Sequence, residues 1–406
     1  MNAHPLPAQP SPHRYPMYTQ EFAADPHAAY RRMRDEHGGL VPVELFPGFN
    51  ATLVVNHATA LRILNDPVNF PADPRKWQQS VPADCPILPM VGYRENALRS
   101  AGREHARYRA SNVDALRGVA LHGMEWAVRR AARQAISSFC ERGEADFLRE
   151  FARPVVLGSI SGMAGAPKPL ADRIGSAMQA VFEGGPDAEQ ANGMLMAALQ
   201  ELIDLKRARP GNDFVTRLIH HRTALTDAEL AQQLVTIFGA GYEPTTNTIA
   251  NSMLRIQSST QVMDGVSSGA LSVRDALEEG LFNDPPMANY CISYPPKPVV
   301  IDHQVLLADQ QVVISLAACN NDPALGSPGQ RLGNRAHLAF SAGPHACPAA
   351  DLSLVIAQAA LDEVMEALPD MQLAIPPDQV RWRPGPFHRA LSSLPVSFAP
   401  TVPLPD

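Results

Sequence analysis

The chain has 406 residues, is 45% hydrophobic and carries a net charge of −7 with a pI near 6.0; it can bury a large core and offers no excess of positive charge to a polyanion such as nucleic acid. It opens without a basic start and apolar stretch, and no run of about 18 apolar residues occurs, so neither a signal peptide nor a membrane span is predicted and the cytoplasm is the expected location. Five cysteines (Cys85, Cys140, Cys291, Cys319 and Cys347), odd in number, widely spaced and without a CxxC pair, argue against a disulfide framework.

Residues 1–20 are polar and proline-rich and read as a loosely held arm; no repeat or long linker divides 21–406, which reads as one domain. Thr52 to Val55 is a short apolar run of strand type. Val119 to Glu141 has helical periodicity, with Trp126, Val128, Ile136 and Phe139 as candidate core positions, and helices follow over Phe147–Leu157 and Leu195–Arg207. Thr226-Asp-Ala-Glu229 fits a capping box flanked by Leu225 and Leu230 as a hydrophobic staple. The apolar pattern after it predicts a helix reaching about Ile256, long enough to cross the domain. Ser272 and Asp275 begin another helix, ending near Phe282. Met287 to Leu316 is extended, with strands at Val299–Ile301 and Val312–Ile314. A last helix runs from Cys347 to about Leu368, and Val380 to Phe398 reads as strands and loops. The predicted class is mostly α with a smaller β portion.

The segment Phe340-Ser-Ala-Gly343-Pro-His345-Ala-Cys347-Pro-Ala is the most informative. A thiol just before a helix is favoured as thiolate by the free N–H groups of the first turn and by the helix dipole, and Pro348 suits a first helical position. Gly343 and Pro344 let the backbone turn closely beneath a flat ligand. Taken alone, the cysteine is as readily a structural residue in a turn, and His-x-Cys without a second pair is no zinc spacing.

The F-x-x-G-x-H-x-C pattern resembles the cysteine-ligand loop of the cytochrome P450 family. That resemblance implies a P450 fold with haem b between the long central helix and this loop. Cys347 becomes the metal ligand, Phe340 the shield of its sulfur, and His345 a neighbour of a haem propionate. Glu104-His105-Ala-Arg107-Tyr-Arg109 is similar to the family's H-x-x-x-R helix start; His105 and Arg109, four apart, lie on one face and pair with the propionates. Ala240-Gly241-Tyr242-Glu243-Pro244-Thr245-Thr246 is similar to the family's oxygen-binding segment, Ala240 and Gly241 leaving room over the haem.

The sequence departs from the family in three places. Pro244 stands where a threonine usually helps deliver protons; proline has neither hydroxyl nor N–H, leaving Glu243 or a displaced Thr245 as proton carriers. Phe282 replaces the arginine of E-x-x-R, so a buried Glu279 needs another cation, Arg331 or Arg335, or access to water. The stretch Asn289–Tyr294 lacks a propionate arginine, which Tyr290 or Tyr294 can replace with a neutral hydrogen bond. Together these resemble an atypical actinobacterial branch of the family.

By that resemblance the chain is a dioxygen-activating oxidoreductase of bacterial specialised metabolism. Its electrons come from NAD(P)H through a ferredoxin reductase and a ferredoxin, docked by Arg103 and Arg107 or by Arg129, Arg130 and Arg133. Its substrate is a hydrophobic or aromatic small molecule among Met90, Val91, Phe238, Tyr242, Met287, Ala288 and Asn289, hydroxylated or coupled through a radical. A peroxide-using or substrate-assisted variant and a non-catalytic haem sensor stand as alternatives.

Overall fold

A computed structural model describes residues 14–82, 85, 87–183, 188–326 and 334–405. The predicted reciprocal cap at Thr226 forms: Glu229 N–H donates to Thr226 Oγ1 at 3.3 Å and Thr226 N–H to Glu229 Oε2 at 2.8 Å. It starts a helix of 32 residues, Asp227–Ser258, about 48 Å long at 1.5 Å per residue. Every residue from Thr245 to Leu254 is buried, so this helix is the axis on which the others pack. Ser272 and Asp275 cap the Val273–Asn283 helix in the same way. The segment predicted as a helix from 147 to 157 is a π-helical turn, Phe147–Ala152, running into the Arg153–Met163 α-helix.

The β portion packs beside the helices as a five-stranded sheet. Its strands lie in the order Tyr15–Pro16, Leu40–Phe46, Phe49–Val54, Val312–Ser315 and Asn289–Ser293. Leu53 pairs in parallel with Val313, and Ile292 pairs antiparallel with the same residue. The arm is thus held from Tyr15 onward, against Val43, and Met17 is fully buried; residues 1–13 lie outside the described residues. No helix among the described residues is long and apolar enough to cross a membrane.

One expected core residue is on the surface. The Leu121–Ser137 helix buries Met124, Val128, Ala132 and Ile136, a strict four-residue repeat. Trp126, two positions after Met124, falls about 200° round the helix; it is 65% exposed and lies under the Arg130 guanidinium at 5.5 Å.

Polar ties seat the Gly102–Arg117 helix and the segment before it against the long one. Gln233 accepts from Asn112 Nδ2 at 3.0 Å and from Ala97 N–H at 3.2 Å, and gives its own Nε2–H to the Glu95 carbonyl at 2.8 Å. Arg107 is committed as well. It pairs through both terminal nitrogens with Glu229 and donates to the carbonyls of Thr223 and Ala224. It is therefore a structural cation rather than the expected docking residue.

Arg107 holds the Glu229 carboxyl down at about 2, aided by Tyr108 and the Thr226 N–H against the opposing effect of burial. A carboxyl depressed in the fold contributes stability that is complete above its unfolded pKa, about 4.3. That contribution is lost as pH falls toward about 2. Arg107→Leu should cost about 2 kcal/mol at neutral pH, discounted for the exposure of Arg107. The difference from wild type should shrink by about half at pH 3 and be lost only as pH falls through about 2; urea melts at neutral pH and at about pH 3 check the trend.

Candidate functional site

The helix after the cysteine begins at Ala350, three residues beyond Cys347, so the sulfur sits in a loop and not on the first turn. A short turn, Gly343–His345, closes with Ala346 N–H to the Gly343 carbonyl at 3.0 Å, and Cys347 N–H reaches back to the Phe340 carbonyl at 2.8 Å. Gly343 has φ +69, and a Cβ there would lie 2.1 Å from the Leu64 carbonyl oxygen, so the loop lies directly on the end of the His57–Leu64 helix. Cys347 is accessible, yet burial pushes its thiol pKa up, opposed by the Ala349 N–H and by Arg109. Ala240, midway along the long helix, is likewise accessible, between half-buried Gly239 and Gly241.

Around the sulfur gathers a cluster of bases without an acid. The His105 and His345 rings lie 4.0 Å apart between centroids, tilted by 30°. Arg109, one helical turn beyond His105, donates to the Ala346 carbonyl. Burial and then Arg109 lower the His105 pKa; burial, His105, Arg109 and Arg99 push His345 down to about 3. No carboxylate figures among the groups that shift His105, His345 or Arg109. His105 Nε2 is buried without a partner. Two arginines, one of them buried, and an unpartnered buried imidazole nitrogen call for an anion. A haem brings two carboxylates and an iron for the thiol, so the residues present fit that group.

The sequence reading missed one member. Arg99, buried, donates to the Tyr290 hydroxyl and the Met90 carbonyl, and its guanidinium lies 5.1 Å from the Tyr290 ring centroid. It fills the need for a cation that the stretch 289–294 leaves open. Only its position six residues before His105 hinted at it. Tyr290 donates at 3.2 Å to the Met90 carbonyl, and Tyr294 accepts from Gln311 at 3.3 Å.

On the long helix, Glu243 is clamped by Arg383 and by Asn247 Nδ2 at 3.2 Å. His388 lies beside them, its pKa pushed down to about 4 by burial and by Arg383. Thr245 Oγ1 is 3.1 Å from Ser353 Oγ on the helix that follows Cys347. Gly241 packs toward Ile160, where a Cβ would stand 3.1 Å from Cδ1.

The expected pocket residues divide. Phe238, 6.3 Å from the Phe214 ring, and Tyr242 belong to the main helical core, because they lie on the face turned toward the neighbouring helices. Asn289 is committed to the Tyr30 hydroxyl and the Pro386 carbonyl, both at 2.9 Å. Met90, Val91, Met287 and Ala288 share one cluster beside the sheet. A cavity of about 340 Å³ is lined by Gln78, Leu88, Gly92, Tyr93, Arg94 and Gln232, among others, but by no residue of the cysteine loop.

Of the expected docking cations, Arg129 and Arg133 are tied to buried Glu363 at 3.2 and 2.6 Å; Arg103 and Arg130 are exposed.

No protein-family model matches the chain. It is 29% identical over 400 residues to the cytochrome P450 monooxygenase PikC of Streptomyces venezuelae, covering 93% of this chain and 92% of that one. Among solved structures, testosterone-bound CYP154C4 from a Streptomyces species superposes with a TM-score of 0.86 at 25% identity, over 95% of this chain and 98% of that one. CxnD, a P450 for C–S bond formation in chuangxinmycin biosynthesis, has the same fold, with a TM-score of 0.86 at 20% identity, over 98% and 100% of the two chains. Similarity running almost end to end, on the fold that brings Cys347, His105, Arg109 and His345 together, places the chain in the cytochrome P450 superfamily as an oxidoreductase of the monooxygenase type.

Proposed function

We propose that the protein holds haem b through Cys347 and oxidises a hydrophobic small molecule in bacterial specialised metabolism. The observation that carries this is the accessible Cys347 sulfur beside buried Arg99 and His105 and half-buried Arg109 and His345, with no carboxylate among the described groups that shift His105, His345 or Arg109. His105, Arg109 and His345 would take one propionate and Arg99 the other. When bound, haem supplies dioxygen activation at its iron. The chain contributes the thiolate, the anion-binding cations and a small-residue face at Ala240. The thiolate's absorption signature in the reduced, carbon monoxide-treated protein tests the reading; a haem spectrum of histidine-ligated type would overturn it.

Proton supply favours chemistry that does not lean on a threonine. No hydroxyl stands at 244, Thr245 is spent on Ser353, and Glu243 is clamped by Arg383. Radical coupling, or oxidation of a substrate bringing its own hydroxyl, meets that constraint. The bond-forming role of CxnD and the steroid in CYP154C4 accord with these two options. Electrons would come from NAD(P)H through a ferredoxin reductase and a ferredoxin, with Arg103 and Arg130 left to meet the acidic carrier.

Pro244→Thr tests the idea directly. It returns an N–H to the Ala240 carbonyl and should raise stability by roughly 1–3 kcal/mol. If proton delivery limits, it should also raise product formed per NADPH consumed several-fold, read against peroxide release. A more stable variant with unchanged coupling would remove proton delivery as the constraint.

A further inference from the structure

The Val273–Asn283 helix carries a buried acid whose nearest described partners are an arginine of its own helix and a histidine of the loop before the cysteine. Glu279, the residue expected to be buried, reaches Arg255 at 2.6 Å near the surface. The buried acid is its neighbour Glu278, which accepts from Arg274 Nε at 2.7 Å and from His337 Nε2 at 2.8 Å. Arg335 stands farther off, at 3.9 Å, with its side chain 59% exposed. Arg331 lies outside the described residues.

His337 does more than answer the acid. Ala339 N–H donates to its Nδ1 at 3.3 Å. With Nε2 on Glu278 and Nδ1 facing the Ala339 N–H, the imidazole bridges a helix carboxylate to the backbone of the loop. Its ring also stands edge-on to Phe282 at 5.5 Å and 5.9 Å from the Phe340 ring. Phe282, where the family has arginine, is thus the aromatic wall of this histidine. One residue on, Leu338 N–H donates to Asn320 Oδ1 at 2.7 Å, and Asn320 Nδ2 donates to the Leu281 carbonyl at 3.1 Å. The backbone then turns through Ser341, a non-glycine residue at φ +61, and the Phe340 carbonyl takes the Cys347 N–H. The path from Glu278 to Cys347 consists of directed contacts throughout.

We propose that His337 is the positioning residue of the cysteine loop. Held between Glu278, Phe282 and Phe340, it sets where Phe340, and through Phe340 the Cys347 backbone, lies relative to the helix frame. It ties the loop to the helix carboxylate from the loop side, where Phe282 on the helix cannot. The inference rests on Cys347 being the haem ligand, as proposed above.

Three variants of the haem-loaded protein test it: His337→Leu, His337→Gln and His337→Asn. Glutamine can reproduce the Nε2 donor and asparagine the Nδ1 acceptor, whereas leucine keeps bulk and supplies neither. Two readouts are taken. One is the rate at which the reduced carbon monoxide complex loses its thiolate signature in mild urea. The other is hydrogen exchange at amides 338–347 compared with amides 245–254 of the long helix.

His337→Leu should lose the signature about tenfold faster, the loss expected for one buried hydrogen-bonded link. Loop amides should exchange faster while those of the long helix stay protected, and glutamine and asparagine should each fall between leucine and wild type. Wild-type loop exchange and signature lifetime in His337→Leu would overturn the proposal. So would a uniform rise in exchange across both segments, which marks general destabilisation instead of positioning. Should His337→Leu not fold, glutamine and asparagine carry the same comparison. If wild type itself shows no thiolate signature, the ligand assignment fails, while loop exchange still reports on positioning.

Discussion

Gly343→Ala should give a protein that folds but no longer presents its cysteine. Two penalties coincide at this residue. At φ +69 a Cβ meets the following carbonyl, at a cost of about 1–2 kcal/mol. The added carbon would also stand 2.1 Å from the Leu64 carbonyl oxygen, a backbone atom at the end of a helix that cannot rotate away. Relief requires the whole Gly343–His345 turn to lift, and with it the Ala346 and Cys347 bonds that define the loop. The combined cost should reach about 3 kcal/mol or more, a fall in melting temperature on the order of 5 °C. Haem titration of the variant should show at least tenfold weaker capture and a reduced thiolate fraction. Gly48→Ala is the control: φ there is +83, but nothing lies within 4 Å of the added carbon, so it suffers the conformational penalty alone. Equal behaviour of the two variants would show that the loop does not depend on contact with Leu64.

Much of this arrangement was legible in the sequence, for identifiable reasons. Local signals carried the helices: the reciprocal cap of Thr226 with Glu229 formed as predicted, and the helix expected to start at Ser272 with Asp275 does so through a cap of the same kind. Spacing put His105 and Arg109 on one helix face. What failed was whatever depended on partners remote in the chain. Trp126 is apolar in a periodic helix, and only the packed neighbours show which face is buried. Glu278 and Glu279 are chemically identical to a reader of the sequence, and a rotation of about 100° decides which is buried. Arg99 and His337 belong to no local pattern; one is recruited by Tyr290, 191 residues away, the other by Glu278, 59 residues away. Arg107 read as a surface cation because its carboxylate partner lies 122 residues off.

Cys347→Ser should abolish the thiolate signature altogether, with no other cysteine replacing it. Serine keeps the size and the loop bond from the residue 347 amide to the Phe340 carbonyl, so the fold should survive. Its hydroxyl is far too weak an acid to reach the anionic form that a thiol reaches when metal binds. Among the remaining cysteines, Cys85, Cys140 and Cys319 are buried, and burial pushes the Cys319 pKa well above the ordinary thiol range. Cys291 is the one to exclude, because the charge of Cys347 is felt at its thiol. Yet burial raises its pKa to about 11, its sulfur faces Ser341, and its backbone is fixed at φ +41 beside an irregularity in the Asn289–Ser293 strand. To reach the position of the Cys347 sulfur it would have to break that strand's pairing with Val312–Ser315, which holds the sheet core. Cys291→Ser should therefore retain the full signature, and the double variant should match Cys347→Ser. A thiolate spectrum surviving in Cys347→Ser but lost in the double variant would transfer the ligand to Cys291 and require a site rotated toward the sheet.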